Sequence, residues 1–213
     1  LVGPNTRLVF IANPNNPTGT WLESAALETF IANLPAHVMV VVDEAYFEYV
    51  DKVSYPDTST WLARFPNLIV TRTFSKAYGL AGLRIGYALS NPDVAGLLNR
   101  VRQPFNVNTV AQAAALAALD DVEYLQQSIR RNREGMEQLV SGLRSLGLDY
   151  IESAGNFVAV NTGRGLEHYE ALLQQGVIVR PVANYGMPDY LRVTVGRADE
   201  NARLLSALQQ VLA

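Results

Sequence analysis

A Ser75-Lys76 pair interrupts the otherwise apolar, glycine-punctuated stretch TRTFSKAYGLAGLRIGY, residues 71–87. An unpaired ammonium group is costly in apolar surroundings, so Lys76 either points to water from a surface loop or uses its amine in chemistry. Burial lowers the pKa of a lysine amine, and the neutral amine can then form a Schiff base with an aldehyde. The residues that accompany Lys76 decide between these two interpretations.

Polar residues also follow two other predicted strands. Asn16 comes after the apolar run at 7–12, and Asp43 follows the run at 37–42. Ligands of open α/β sheets bind outside the carboxyl ends of the strands, so we expect Asn16, Asp43 and Lys76 to share one sheet edge. Two structural interpretations remain open here: asparagine is common in turns, and an aspartate often caps a helical turn.

Catalysis with pyridoxal phosphate needs this combination of groups. A carboxylate such as Asp43 keeps the pyridine nitrogen protonated, as the cofactor's electron sink requires. Asn16 and Tyr46 can donate hydrogen bonds to the phenolic oxygen of the ring. Hydroxyls and a guanidinium suit the phosphate, and the candidates for this role are Thr73, Ser75 and Arg84.

These phosphate-binding candidates also have structural interpretations. The hydroxyls of Thr73 and Ser75 can be satisfied within the protein without a ligand, and Arg84 can be one partner of a structural ion pair. His37 and His168 lack the spacing of metal ligands and are predicted to lie on the surface, so no metal site is predicted.

The first part of the chain is predicted to hold a mixed, mainly parallel sheet. Continuous apolar runs at 37–42 and 67–74 are typical of parallel strands that are covered on both faces. The run at 83–90 begins close enough after the second of these to be its antiparallel neighbour. Helical spacing predicts three helices, the last of them alanine-rich and expected to be buried, at 22–33, 92–102 and 108–119.

The pattern changes near residue 121. A long amphipathic helix is predicted to begin there and to end at Gly147, and alternating strand and helix patterns follow it. We therefore predict an α/β protein with part of a large domain over 1–120 and a small C-terminal α/β domain over 121–213.

Composition excludes several classes of protein. A chain of 213 residues with 49% hydrophobic residues can bury a core, which argues against disorder. The net charge of −3 gives no footprint for nucleic acid or an anionic membrane, and no apolar run is long enough to span a bilayer. The sequence has no cysteine, which excludes disulfides and thiolate metal sites and fits a cytoplasmic location.

Four motifs resemble those of the fold-type I aminotransferases and occur in the same order: NPNNPTGT, VVDEAYFEY, TRTFSKAYGLAGLRIGY and YLRVTVG. The resemblance covers nearly the whole chain and is closest to the branch of this family that acts on histidinol phosphate. It implies that Lys76 binds pyridoxal phosphate covalently. It implies cofactor contacts for Asn16, Asp43, Tyr46 and Arg84.

The same resemblance implies roles for two arginines near the C-terminus. Arg192, in YLRVTVG, corresponds to the residue that binds the α-carboxylate of the substrate, for which a planar fork is suited. Arg180 matches a position near the distal phosphate of histidinol phosphate. From the residues alone, Arg192 lies in a strand of alternating character and could also face solvent.

The implied activity is transfer of an amino group between histidinol phosphate and 2-oxoglutarate, with glutamate as the other amino acid, in histidine biosynthesis. The resemblance also implies a cytoplasmic homodimer with shared sites. It begins inside the family's sequence, so we expect a piece of a longer polypeptide with an incomplete large domain and an incomplete hold on the cofactor phosphate.

Other functions share these motifs. A decarboxylase of phosphorylated amino acids and an aromatic aminotransferase are alternatives within the same fold. A cofactor-binding regulatory module behind a DNA-binding domain is an alternative of another class, but this chain contains no basic recognition helix. An inactive fragment is the remaining alternative.

Overall fold

The computed structural model of the chain describes residues 2–212, which form two compact units. The first unit comprises residues 2–14 and 21–125, and the second comprises residues 15–20 and 126–212. Each unit contains one four-stranded sheet. The domain boundary after residue 120 stays a prediction.

The sheet of the first unit is mixed and mainly parallel, as predicted. Its strands are β1 (Leu8–Ala12), β2 (Met39–Asp43), β3 (Leu68–Thr73) and β4 (Gly86–Ser90), in the spatial order of their numbers. The first three strands are parallel, and β4 pairs with β3 in the antiparallel direction. All three parallel strands therefore end at the same edge of the sheet.

One face of this sheet packs against helix α1 (Ser24–Ala32). Leu27 and Ile31 of α1 join the apolar side chains of β2 and β3 in a buried cluster. Side chains alternate between faces along a strand, so Phe10 lies on the other face, where it is 71% exposed. On that face Met39 and Val41 of β2 and Ile69 of β3 are half-buried, so the predicted coverage of both faces is complete on one face and partial on the other.

Two further helices complete the first unit, α2 (Pro92–Val101) and α3 (Thr109–Asp120). The expectation that α3 is buried was wrong. Only Ala111 and Ala115 of α3 are buried, whereas Val110 and Leu116 are 68% and 67% exposed. Alanine favours helices whether or not they are covered, so an alanine-rich helix does not by itself indicate burial.

The second unit has an antiparallel sheet with the spatial order β5-β6-β8-β7. The long helix α4 (Val122–Ser145) leads into this unit, and Gly147 follows it in the left-handed conformation expected of a helix stop. The remaining elements are β5 (Tyr150–Ile151), β6 (Phe157–Asn161), α5 (Gly165–Gln174), β7 (Arg180–Pro181), β8 (Tyr190–Thr194) and α6 (Ala198–Leu212).

The core of the second unit contains leucines of α4, α5 and α6 packed on valines of β6 and β8. The prediction that His168 lies on the surface was wrong, because α5 turns this side chain inward and leaves it 3% exposed. Its two ring nitrogens have no hydrogen-bond partner within residues 2–212. No helix in this described part of the chain is long and apolar enough to cross a membrane.

Candidate active site

Asp43 closes β2 at the carboxyl edge of the parallel strands. Its backbone pairs with Thr71 of β3, and the next residue, Glu44, donates its N–H to the Thr71 carbonyl at 2.8 Å. The Asp43 side chain is exposed, and its Oδ1 accepts the N–H of Ala45 at 3.2 Å. The strand therefore presents a carboxylate that is fixed at its base and accessible at its tip.

Lys76 lies in a tight turn that follows β3. The N–H of Gly79 donates to the Lys76 carbonyl at 2.9 Å, and Gly79 has φ +72°. A Cβ at Gly79 would lie 2.5 Å from the hydroxyl oxygen of Tyr124, so the turn requires glycine. Lys76 is half-buried, with its Nζ 5.5 Å from the ring centroid of Tyr46, which is itself 6% exposed. The amine thus lies beside a buried aromatic ring, unlike that of an ordinary loop lysine.

Arg84 and Ser75 come together beside this turn. Arg84 adopts the left-handed conformation, with φ +53°, a backbone strain that often marks a functional position. Its Nη1 donates to the Ala81 carbonyl at 2.9 Å and lies 3.4 Å from the Ser75 hydroxyl. A guanidinium and a hydroxyl therefore converge at an exposed position.

Thr73 forms hydrogen bonds within the same loop. Its hydroxyl accepts the N–H of Ser75 at 3.1 Å and lies 3.4 Å from the Ile85 carbonyl, to which it donates. The Thr73 hydroxyl thus has partners within the protein. Its predicted contact with a phosphate stays a prediction.

Arg192 and Asn16 meet in the second unit. Nη1 of Arg192 donates to Asn16 Oδ1 at 2.7 Å, and the guanidinium carbon lies 5.1 Å from the ring centroid of Phe157. Nε of Arg192 is buried and has no hydrogen-bond partner among residues 2–212. The guanidinium of Arg192 therefore lies beside an aromatic ring and is anchored through Nη1.

Arg180 lies directly opposite Arg192. The antiparallel pairing of β7 and β8 places these two residues in register, so their side chains share one face of the sheet. Like charges in directly opposite positions destabilise a sheet unless something compensates them. Neither arginine forms an ion pair within the described part of the chain.

The sequence analysis missed a buried ion pair in the first unit. Arg72 of β3 donates from Nε and Nη2 to Glu44 Oε2 at 2.9 and 2.7 Å, and Glu44 is fully buried. Burial raises the pKa of the Glu44 carboxyl, and hydrogen bonds from Thr58 and Arg72 offset this only in part. Burial also opposes the charge of Arg72, but Glu44 and Asp57 outweigh it and raise the pKa of the guanidinium.

A signal for this pair is present in the sequence. In the strand LIVTRT, Arg72 occupies the alternate positions of Leu68 and Val70, which are buried. An arginine in that pattern needs a carboxylate partner, because a buried charge is costly without one. The adjacent strand ends at Asp43 and Glu44 follows it, so Glu44 was the available candidate.

A mainly parallel sheet that presents a carboxylate and a lysine at its carboxyl edge, with a small antiparallel α/β unit, is the architecture of the fold-type I aminotransferases. The sequence pattern of the family described as Aminotransferase class I and II matches residues 2–208. The chain belongs to this family.

Individual relatives are similar over almost the whole chain. It is 62% identical over 209 residues to "Histidinol-phosphate aminotransferase 2" of Pseudomonas aeruginosa, covering 98% of this chain and 57% of the relative. It is 59% identical over 212 residues to "Histidinol-phosphate aminotransferase 1" of Nitrosococcus oceani, covering 99% and 57%.

A solved structure agrees with these similarities. The histidinol-phosphate aminotransferase of Sinorhizobium meliloti in complex with pyridoxal-5'-phosphate superimposes with a TM-score of 0.89 at 35% identity, covering 98% of this chain and 58% of that one. The chain therefore spans somewhat more than half the length of these proteins.

Proposed function

We propose that this protein transfers an amino group between histidinol phosphate and 2-oxoglutarate, with pyridoxal phosphate as cofactor, in histidine biosynthesis. The names of the similar proteins and the pyridoxal phosphate bound in the Sinorhizobium meliloti structure support this assignment. The cytoplasmic location and the homodimer implied by the sequence resemblance stay predictions.

The first unit contains several groups that suit pyridoxal phosphate. Lys76 offers an amine for its aldehyde, and the exposed carboxylate of Asp43 suits a protonated pyridine nitrogen. Ser75 and Arg84 offer a hydroxyl and a guanidinium, 3.4 Å apart, for its phosphate. These residues fit the cofactor in charge and hydrogen-bonding character.

When bound, pyridoxal phosphate supplies the aldehyde that accepts the amino group and the ring that withdraws electrons from the substrate's α-carbon. Nζ of Lys76 holds the cofactor between turnovers, and it then takes the proton from the α-carbon and returns a proton later. The carboxylate of Asp43 keeps the pyridine nitrogen protonated, and Tyr46 lies beside Lys76. The predicted contact of Asn16 with the phenolic oxygen rests on the donor capacity of its amide and on the resemblance.

The observation that best supports the substrate assignment is that Arg180 and Arg192 lie directly opposite each other on β7 and β8. Glutamate and 2-oxoglutarate have two carboxylates each, whereas histidinol phosphate has a phosphate and no carboxylate. Two guanidinium groups on one face suit both kinds of ligand, because carboxylate and phosphate each accept paired N–H groups.

Covalent attachment of the cofactor tests the proposal directly, since Lys52 and Lys76 are the only two lysines of the chain. We expect borohydride to fix pyridoxal phosphate on Lys76, with peptide mass spectrometry as the readout. Lys76→Ala should abolish this label and the matched control Lys52→Ala should keep it. Label on Lys52 alone, or equal label in both variants, contradicts the assignment.

Product analysis tests the type of reaction. With histidinol phosphate and 2-oxoglutarate, we expect glutamate to appear in equal amount to the oxidised phosphate ester. Release of carbon dioxide from a phosphorylated amino acid would instead favour a decarboxylase. A keto acid formed faster from an aromatic amino acid would favour an aromatic aminotransferase.

A further inference from the structure

The buried ion pair of Glu44 and Arg72 lies directly behind two elements of the candidate site. Glu44 is the residue after Asp43, and Arg72 precedes the turn that contains Lys76 by a few residues. Arg72 donates two hydrogen bonds to one oxygen of Glu44, at 2.9 and 2.7 Å. The pair therefore joins the ends of β2 and β3 from which both site residues extend.

Both members of the pair are held on every side that the structure describes. Oε1 of Glu44 accepts the hydroxyl and the N–H of Thr58 at 2.6 and 3.3 Å. Nη2 of Arg72 also donates to Asp57 Oδ1 at 2.6 Å, and its guanidinium carbon lies 3.5 Å from the ring centroid of Phe47. These contacts restrict the movement of both side chains.

The pair acts from the face of the sheet opposite to Asp43. Asp43 is in register with Thr71, and side chains alternate along β3, so Arg72 points to the other face. That face contains the buried apolar residues of the strand, including Val70. The ion pair can thus fix the backbone of the site without occupying the space of a ligand.

Stability alone does not account for the pair. A buried ion pair is often no more stabilising than two apolar side chains of the same volume, because both charges lose their hydration. The burial that raises the pKa of the Glu44 carboxyl reflects this cost.

We propose that Glu44 and Arg72 are positioning residues, which fix Asp43 and the turn of Lys76 relative to each other. This inference rests on the proposed function of those two side chains. It predicts that the reactivity of Lys76 depends on the ion pair even when the fold is equally stable without it.

The decisive variant is the apolar double substitution E44M/R72M. Because both charges leave together, no unpaired charge stays buried, and we expect its thermal midpoint to fall less than that of Arg72→Leu, although Thr58 loses its acceptor. Competitive acylation of the cofactor-free chain, with Lys52 as internal reference, should show the Lys76 to Lys52 labelling ratio changed by at least about threefold, since the amine loses its fixed surroundings. The affinity for pyridoxal phosphate should fall by about tenfold or more for the same reason.

The matched control is E28M/R64M, which removes an exposed ion pair of 2.8 Å in the same unit. We expect it to leave the labelling ratio and the cofactor affinity unchanged. If E44M/R72M folds and keeps the original labelling ratio and affinity, the proposal is overturned, and a lowered midpoint in that case would make the pair purely structural.

A second variant covers the case in which E44M/R72M does not fold. R72K keeps the charge but loses the planar fork, so it should change the labelling ratio in the same direction. An original ratio in R72K then overturns the proposal. Failure of the proposed function would appear differently, as the absence of borohydride-fixed pyridoxal phosphate on Lys76 of the unsubstituted chain. The acylation ratio does not need the cofactor, so it would still test the positioning role.

Discussion

Arg72 and Arg192 both lie on paired strands, but they differ in what surrounds their charge. Arg72 has two carboxylate partners, Glu44 and Asp57, and its side chain is 11% exposed. Arg192 donates to the amide oxygen of Asn16 and lies opposite Arg180, with no ion pair within residues 2–212. The contrast suggests that the protein supplies the anions for one arginine and a ligand supplies them for the other.

Removal of Arg72 should give the largest change in stability. Arg72→Leu leaves Glu44 buried without a cation, which should lower the free energy of unfolding by about 3–5 kcal/mol. Urea denaturation at neutral pH measures this loss. Arg64→Leu is the control, because the exposed Arg64–Glu28 pair should contribute less than about 1 kcal/mol.

Equal losses of unfolding free energy in Arg72→Leu and Arg64→Leu would contradict the contrast drawn between Arg72 and Arg192. They would mean that Glu44 is neutral in the folded protein or that water reaches it after the substitution. The carboxylates of the protein would then not be what stabilises Arg72, and the contrast with Arg192 would fail.

Removal of Arg192 should change the KM for glutamate more than the free energy of unfolding. Arg192→Leu removes a charge that faces Arg180, so we expect the free energy of unfolding to change by less than about 1 kcal/mol. The KM for glutamate should rise by about a hundredfold, because the carboxylate loses its charged partner. Steady-state kinetics and urea denaturation of the same preparation measure both quantities. A large loss of stability with an unchanged KM would assign Arg192 to the fold.

The sequence could predict the features that depend on local patterns or on known motifs. Strand patterns and turn residues located β2, β3 and the antiparallel β4, because alternation and apolar runs are local properties. The resemblance to known motifs named Lys76, Asp43 and Arg192, and the structure places the first two at the ends of parallel strands or in the turn beyond them. Their roles stay predictions until they are tested.

The missed features depend on pairing between distant segments. The contact of Glu44 with Arg72 joins residues 28 positions apart, and it appears only when β2 and β3 are in register. The opposition of Arg180 and Arg192 similarly depends on the β7–β8 register. The exposure of α3 was mispredicted because composition reports helix preference and not what lies beside the helix.

Arg180 should have a smaller and more selective effect than Arg192. Arg180→Ala should weaken the binding of histidinol phosphate by about tenfold, since it removes one charged partner of the phosphate at an exposed position. The loss for glutamate should be much smaller. KM values for both substrates measure the selectivity, and Arg164→Ala, at an exposed arginine paired with Glu167, is the control. Equal losses for both substrates would remove Arg180 from this role.

The smallest effect on the free energy of unfolding is expected for a carboxylate, Glu48, which can be compared with Glu44. Glu48 lies near Glu44, but its Oε2 is buried without a hydrogen-bond partner in the described part of the chain. Burial raises the pKa of Glu48 above its ordinary value of 4.5, and the charge of Arg72 offsets this only in part. The Glu48 carboxyl therefore binds its proton more tightly in the folded chain than in the unfolded chain. Its contribution to stability falls as the pH rises above 4.5 towards its folded pKa.

Glu48→Gln removes this titration, because an amide stays neutral. We expect the variant to exceed the original chain in free energy of unfolding by about 1 kcal/mol at neutral pH, where the original carries an unpaired buried charge. The gain should shrink as the pH is lowered towards 4.5, since Glu48 is then protonated in the folded chain. Urea denaturation across this range measures the gain, with Glu23→Gln at an exposed position of the same unit as the control. A gain that is independent of pH would mean that Glu48 ionises equally readily in the folded and the unfolded chain, so that its burial does not disfavour the charge.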